Sequence, residues 1–163
     1  MADGPRSACP INAAVEVLGD RWTLLVLRDI LFGDRRHFRQ LQSLSAERIA
    51  SNILADRLRA LVEAGLLTRD DPGRGRRATY TLTEPAIQLV PLIVQLGGWG
   101  ARNRPTSPEA RAGAELMEAG GPELWDELMA ELRERHLDVP RPPSDGPTAT
   151  DRLAAAYADA LAR

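Results

Sequence analysis

Residues 51–69 read Ser51-Asn52-Ile53-Leu54-Ala55-Asp56-Arg57-Leu58-Arg59-Ala60-Leu61-Val62-Glu63-Ala64-Gly65-Leu66-Leu67-Thr68-Arg69. Leu54, Leu58, Leu61 and Val62 recur at i, i+4, i+7 and i+8, the spacing of one buried helical face. Asn52, Ile53, Asp56, Arg59 and Glu63 fall on the opposite side, with Arg57 on a flank. The pattern predicts a helix over 52–64 with Ser51 as its N-cap. Gly65 stands at the C′ position, where a left-handed residue closes a helix. Beyond Gly65 the period changes. Residues 66–69 and Ala78-Thr79-Tyr80-Thr81-Leu82 are rich in β-formers and read as two strands. Between them, Asp70-Asp71-Pro72-Gly73-Arg74-Gly75-Arg76-Arg77 is a turn-rich tip crowded with arginine.

Toward the N-terminus, apolar residues at helical spacing predict a helix over 11–18, stopped by Gly19. A second helix follows over 22–31, with Trp22, Leu25, Val26 and Leu31 near one stripe. A short third helix over 37–44 turns Phe38, Leu41 and Leu44 inward, and a polar joint over 45–50 leads to the helix after Ser51. A hairpin directly after such a helix pair is the wing of a winged helix. Toward the C-terminus, Thr83 caps a further helix that carries Ile87, Leu89, Leu92, Ile93, Leu96 and Trp99, with Pro91 as a point where it kinks. It is apolar on more than one side and needs a second cover besides its own core. Pro105-Thr106-Ser107-Pro108 reads as a linker. Acidic helical segments over 109–119 and 122–137, a Pro/Gly-rich loop and an alanine-rich helix over 151–162 complete the chain. The expected fold is mainly α with a small β-hairpin wing. Residues 1–104 are expected to form a winged helix-turn-helix domain, an architecture suited to DNA binding and dimerisation, and 105–163 an acidic, mostly helical C-terminal extension.

Charge follows the same division. The net charge of −2 conceals 15 arginines against 11 acids in residues 1–104, and 6 against 12 in 105–163. Residues 35–77 hold ten arginines and five acids. All 21 basic residues are arginine, which suits bidentate phosphate and guanine contacts, although a bias toward arginine codons would do the same. A single cysteine, Cys9, excludes an internal disulfide framework. With only two histidines, His37 and His136, no structural metal site is expected; both are read as surface or helix-packing residues. No stretch approaches the roughly 18 apolar residues of a membrane span, and residues 1–7 lack the apolar core of a secretory signal. A cytoplasmic protein is expected. The sequence offers no glycine-rich phosphate loop and no nucleophile paired with a base, so neither an enzyme nor a cofactor is expected. The acids of the extension, Glu115, Glu118, Glu123, Asp126, Glu127, Glu131 and Glu134, are placed on solvated helix faces.

Several segments, in order, resemble the HxlR-type family of bacterial transcriptional regulators over about residues 9–100. They are Cys9-Pro10, Leu18-Gly19-Asp20-Arg21-Trp22-Thr23-Leu24-Leu25, Arg36-His37-Phe38-Arg39-Gln40-Leu41, Asn52-Ile53-Leu54-Ala55-Asp56-Arg57-Leu58 with Leu61, Gly65-Leu66-Leu67, Tyr80-Thr81-Leu82-Thr83 and Trp99-Gly100. The chain departs from the pattern at Arg39 or Gln40, where the family usually has an acid, and at Pro85. Residues 105–163 have no counterpart in it. The resemblance implies a homodimeric winged helix-turn-helix regulator and a cysteine at position 9 that serves as a thiol sensor. A small apolar residue packed on the first helix is the other reading of Cys9.

In such a protein, cations on phosphates supply affinity and a helix in the major groove supplies sequence preference. The helix opening at Ser51 is the expected recognition helix. Asn52 would read adenine, Ile53 would touch a thymine methyl and Asp56 would accept from cytosine. Arg57 and Arg59 would meet phosphate or guanine, and Arg35, Arg36 and Arg48 would clamp the backbone. Arg74, Arg76 and Arg77 would straddle phosphates or enter a narrow minor groove. Each arginine has a plainer reading as a solvated residue or as a helical-spacing partner of Asp56 or Glu63. Asp56 itself would then orient a neighbouring arginine. The apolar surplus of the first helix and of the 87–99 helix implies a homodimer, which sets two recognition helices about 34 Å apart on a pseudo-palindromic operator. The extension, whose Leu124, Trp125, Leu128, Met129 and Leu132 form an apolar face, would instead cover this surface within one chain. It would otherwise help to build a small-molecule effector pocket, or mimic DNA. Repression is the expected mode, and the alternative reading is a winged-helix protein-interaction module that binds no DNA.

Overall fold

The computed structural model describes residues 8–70, 73, 76–143 and 145–163. They belong to two compact units, Met1–Thr81 and Leu82–Arg163. The first unit opens with α1 (Pro10–Leu18), α2 (Arg21–Gly33), α3 (Phe38–Leu44) and α4 (Ser51–Glu63). Asp20 caps α2, its Oδ1 accepting from the backbone N–H of Trp22 at 2.9 Å and of Thr23 at 3.0 Å. Helices α2, α3 and α4 pack on one another around Val26, Leu27, Ile30, Leu31, Leu41, Leu54, Leu58 and Leu61, all buried. Burying each such side chain contributes about 1.5–3 kcal/mol, so this three-helix core holds the unit together. Two expectations of inward placement need correction. Leu44 is 55 % exposed: steps of three residues fall about 60° short of a full turn, so the stripe from Phe38 through Leu41 has rotated out by Leu44. Trp22 and Leu25 are only half-buried, and Leu27 and Ile30 take their place in the core.

Helix α4 begins one residue earlier than expected. Ala50 is its N-cap, with an extended backbone and no side-chain cap, and Ser51 is its first helical residue. The expected capping role of Ser51 is therefore corrected: Ile49 is buried just upstream, and the N–H of Leu54 already bonds Ala50 O. The C-terminus follows expectation. Gly65 has φ +71°, its N–H bonds Val62 O at 3.0 Å, and the N–H of Leu66 bonds Leu61 O at 2.9 Å. These are the two bonds of a Schellman closure, and they deliver the chain directly into the hairpin of β1 (Leu67–Asp70) and β2 (Thr79–Leu82). The base of the hairpin is stitched to the segment before α3, where the N–H of Tyr80 bonds Arg36 O at 2.8 Å.

In the second unit the helix expected over 87–99 is two helices, α5 (Glu84–Ile87) and α6 (Val90–Asn103). Pro91 lies in the first turn of α6, where its missing N–H has no helical partner to lose. A break therefore replaces the predicted kink. The extension forms α7 (Pro108–Leu137) and α8 (Ala149–Leu161). The two acidic segments read from the sequence run on as α7, interrupted at Gly121 (φ 59°, ψ −158°) just before Pro122. That backbone region is open essentially to glycine alone. Trp125 spans the interruption, its indole N–H donating to Met117 O at 2.7 Å. Leu124, Leu128, Met129 and Leu132 are buried where α7 packs on α6 and α8.

In α7, His136 takes the packed one of its two expected placements, whereas Glu131 departs from its expected solvated one. His136 is buried and its Nδ1 accepts from the backbone N–H of Leu82 at 3.2 Å. Glu131 is only 5 % exposed and accepts from the N–H of Ala149 at 2.6 Å and of Thr150 at 3.2 Å. An acid at that place offsets the positive end of α8, which is why it tolerates burial.

Candidate nucleic-acid interface

Helix α4 presents two faces. Leu54, Leu58 and Leu61 are at most 1 % exposed, while Ser51, Asn52, Asp56 and Arg59 are open to solvent on the other side. Ile53 is half-buried between them. Asp56 and Arg59 pair with each other at 3.2 Å, one turn apart and both more than half exposed. Such a surface pair is worth well under 1 kcal/mol, so either group is available to a stronger partner.

The other arginines divide by what they already hold. Arg35 pairs with buried Asp29 at 3.2 Å. Arg36 donates to Tyr80 O at 3.3 Å and to the Thr81 hydroxyl at 2.6 Å. Arg57 donates to Asp20 at 3.1 Å; burial raises the Asp20 carboxyl's pKa, but the bonds from Thr23, Arg57 and Trp22 outweigh that and lower it overall. These three guanidinium groups, expected on the DNA-facing surface, each hold a partner within the chain. Arg48, Arg76 and Arg77 are exposed, and no side-chain partner holds them among the described residues. Arg74, the remaining tip arginine, lies outside the described residues.

A model of the HxlR-like helix-turn-helix family matches residues 17–108. The chain belongs to that family. Over 94 residues it is 42 % identical to an uncharacterized HTH-type transcriptional regulator of Mycobacterium bovis, a stretch covering 55 % of this chain and 56 % of the relative. The match thus spans little more than half of that relative's length. An uncharacterized HTH-type transcriptional regulator of Synechocystis shares 32 % identity over 94 residues, 57 % of this chain and 68 % of its own. Among solved structures, PA1607, a candidate transcription factor, overlays with a TM-score of 0.56 at 35 % identity, covering 62 % of this chain and 69 % of PA1607.

Within the HxlR-like region the structure adds residues that sequence reasoning passes over. Arg39 on α3 is exposed with no partner for its guanidinium among the described residues. Arg28 and Glu47, 19 positions apart, form a bidentate pair with both N···O distances at 2.8 Å. The hydrogen bonds from Arg28 hold the Glu47 carboxyl down at about 2, against an ordinary 4.5. The visible signal is Arg28-Asp29 in the middle of an apolar helix, where adjacent charges imply a buried polar network. Cys9 is exposed at the N-cap of α1. A concavity of about 460 Å³ is lined by Val15, Glu16 and Val17 toward the C-terminal end of α1, by Asp20 and Thr23, and by Arg57 of α4.

Proposed function

We propose that this chain is a sequence-specific, DNA-binding transcriptional regulator that works as a homodimeric repressor on a pseudo-palindromic operator. The observation that carries the reading is the polar outer face of α4, Asn52, Asp56 and Arg59, together with the exposed, uncommitted arginines Arg48, Arg76 and Arg77 of the same unit. In this arrangement Asn52 and Asp56 meet base edges near the start of the recognition helix. Arg48 and the wing arginines neutralise phosphates. Residues 1–104 carry DNA binding and dimerisation, and 105–163 are an extension of the second unit.

Dimerisation is supported by uncovered apolar side chains on the two helices expected to form it. In α1, Ile11 is 73 % and Val15 56 % exposed; in α6, Leu92, Leu96 and Trp99 form a half-exposed row at i, i+4 and i+7. An effector is part of the reading: either oxidation at exposed Cys9, or a small molecule in the concavity between α1, α2 and α4. The location is the cytoplasm; no helix among the described residues is long and apolar enough to cross a membrane.

The test is binding of the full chain to its own upstream DNA and to random duplex at roughly 50 and 200 mM salt, repeated with Arg74→Ala/Arg76→Ala/Arg77→Ala. Specific binding that weakens steeply with salt is expected. The log–log salt slope of the variant should flatten by about 0.9 for each phosphate that is no longer neutralised. A folded protein with no preference for its upstream duplex and no salt dependence would refute the proposal.

A further inference from the structure

We infer that Arg28 and Glu47 are positioning residues that hold Arg48 in an otherwise unfavourable backbone conformation and so present it to a DNA phosphate. The inference rests on the DNA-binding reading above. Arg48 has φ +52°, in the left-handed region that residues with a Cβ rarely adopt and that persists only when its surroundings over-determine it. Its neighbours supply that constraint on both sides. Glu47 is gripped through both carboxylate oxygens by the Arg28 fork, at 2.8 Å each, and also accepts from the Ser45 hydroxyl at 3.1 Å. Ile49 on the other side is 4 % exposed in the core. The N–H of Arg48 closes the turn onto Ser45 O at 3.3 Å.

Arg28 is in turn fixed. Its Nε and one terminal nitrogen donate to Asp29 Oδ1 at 3.0 and 2.7 Å, and the other oxygen of Asp29 pairs with Arg35 at 3.2 Å. Asp29 is 6 % exposed. The network of Arg28, Asp29, Arg35, Glu47 and Ser45 therefore ties the α3–α4 joint to α2. Only Arg48 within that joint sends its cation to solvent without a partner among the described residues. A turn built for stability alone would carry glycine at position 48. An arginine held there against its backbone preference, beside the first turn of α4, is accounted for by a contact made outside this chain. The bidentate geometry matters because a fork fixes direction as well as distance.

The experiment uses the full chain and the duplex that wild type retains best from a random-sequence pool. Affinity and salt slope are measured for Glu47→Gln, Arg48→Ala and the double variant, with thermal unfolding of each. Arg48→Ala is expected to lose roughly tenfold or more in affinity, as for one charge-assisted contact, and to flatten the slope by about 0.9 per protomer. Glu47→Gln keeps the Arg48 charge yet should flatten the slope in the same direction, with almost no further loss when added to Arg48→Ala. Losses that add in the double variant, or a Glu47→Gln slope equal to wild type, would overturn the inference while leaving DNA binding intact. Wild type that retains no duplex at all would sink the DNA-binding reading and this inference with it. Should Glu47→Gln fail to fold, Arg48→Gly decides: unchanged or raised melting temperature with weakened binding is expected. A lowered melting temperature, or binding equal to wild type, refutes the role.

Discussion

Under the proposed dimer through α6, replacing Leu96 by glutamate should leave a folded monomer. Leu92 and Leu96 are each 49 % exposed and Trp99 50 %. Full burial of a leucine is worth about 1.5–3 kcal/mol, so covering the remaining half of each contributes about 1 kcal/mol. Half of a tryptophan is roughly 100 Å², or about 2.5 kcal/mol at 25 cal/mol per Å². Across a two-fold axis the α6 rows together contribute about 9 kcal/mol before the cost of association, which is itself about 4–15 kcal/mol. The margin is thin enough for one position to decide it. Leu96→Ala removes about 1 kcal/mol from each protomer, weakening the dimer about thirtyfold. Leu96→Glu adds the burial of two carboxylates at several kcal/mol each, and the dimer dissociation constant should rise more than a thousandfold. Because half of Leu96 already meets water in the isolated chain, the melting temperature of the monomer should scarcely move. Sedimentation equilibrium across micromolar concentrations reads the result directly. A Leu96→Glu protein that sediments as wild-type dimer, or a wild type that is monomeric throughout, would refute the reasoning.

Two further outcomes concern the supports of each unit. Glu131→Ala strips the acceptors from the buried Ala149 amide and from Thr150. It should cost about 2–4 kcal/mol, lowering the melting temperature and stripping amide-exchange protection from the first turn of α8; a melting curve superimposable on wild type would show that water replaces the carboxylate. The Glu47 carboxyl titrates near 2 when folded against 4.5 ordinarily, because Arg28 binds its charged form. A carboxyl depressed by folding contributes its stability above the unfolded pKa and loses it as pH falls through the folded one. Wild type should therefore exceed Glu47→Gln by about 1–2 kcal/mol near neutrality, a figure discounted for solvent screening. The difference should shrink between pH 4.5 and 2, and chemical denaturation across that range checks it; a pH-independent difference would mean that the charge of Glu47 is not what Arg28 holds.

What is legible in the sequence is local. The Leu54, Leu58, Leu61 stripe and Gly65 state the position, buried face and closure of α4, because helix periodicity and a left-handed C′ residue are properties of adjacent chain. The hairpin is legible for the same reason. Pro91 reads as a kink because the apolar pattern continues past it, whereas the missing N–H gives the chain a ready place to restart as α6. Glu131 reads as solvated because a helical acid usually is. Nothing near it in sequence announces the α8 amides, 18 and 19 positions away.

The arginines are the least legible part of the candidate site. Composition marks residues 35–77 as basic, yet which cations are uncommitted depends on acids brought in from elsewhere in the fold. Asp20 reaches Arg57 across 37 positions and Asp29 reaches Arg35 from the preceding helix. Net charge therefore overstates the surface open to phosphate: among the described residues Arg39, Arg48, Arg76 and Arg77 are exposed without a side-chain partner, and Arg59 holds only a weak surface pair.

The apolar side chains of α1 are likewise short of partners among the described residues. This helix has nine residues and buries none of them, with Ile11, Val15 and Val17 all open to solvent. A helix of that length is unstable in isolation, since nucleation fixes several residues for one hydrogen bond and few bonds follow to offset it. Its side-chain support among the described residues includes an exposed contact, Asn12 to Glu16 at 2.8 Å, worth about 0.2–0.5 kcal/mol, and Pro10 in the first turn. Neither offsets the backbone entropy of ordering nine residues at about 1–2 kcal/mol each. Among the described residues little covers α1, and a second copy would supply that cover under the proposed dimer. The half-exposed row on α6 requires cover on separate grounds, because that helix is already well packed on its opposite face. Two helices with unrelated shortfalls, each assigned by the dimer reading to the interface with a second copy, support that reading more strongly than either would alone.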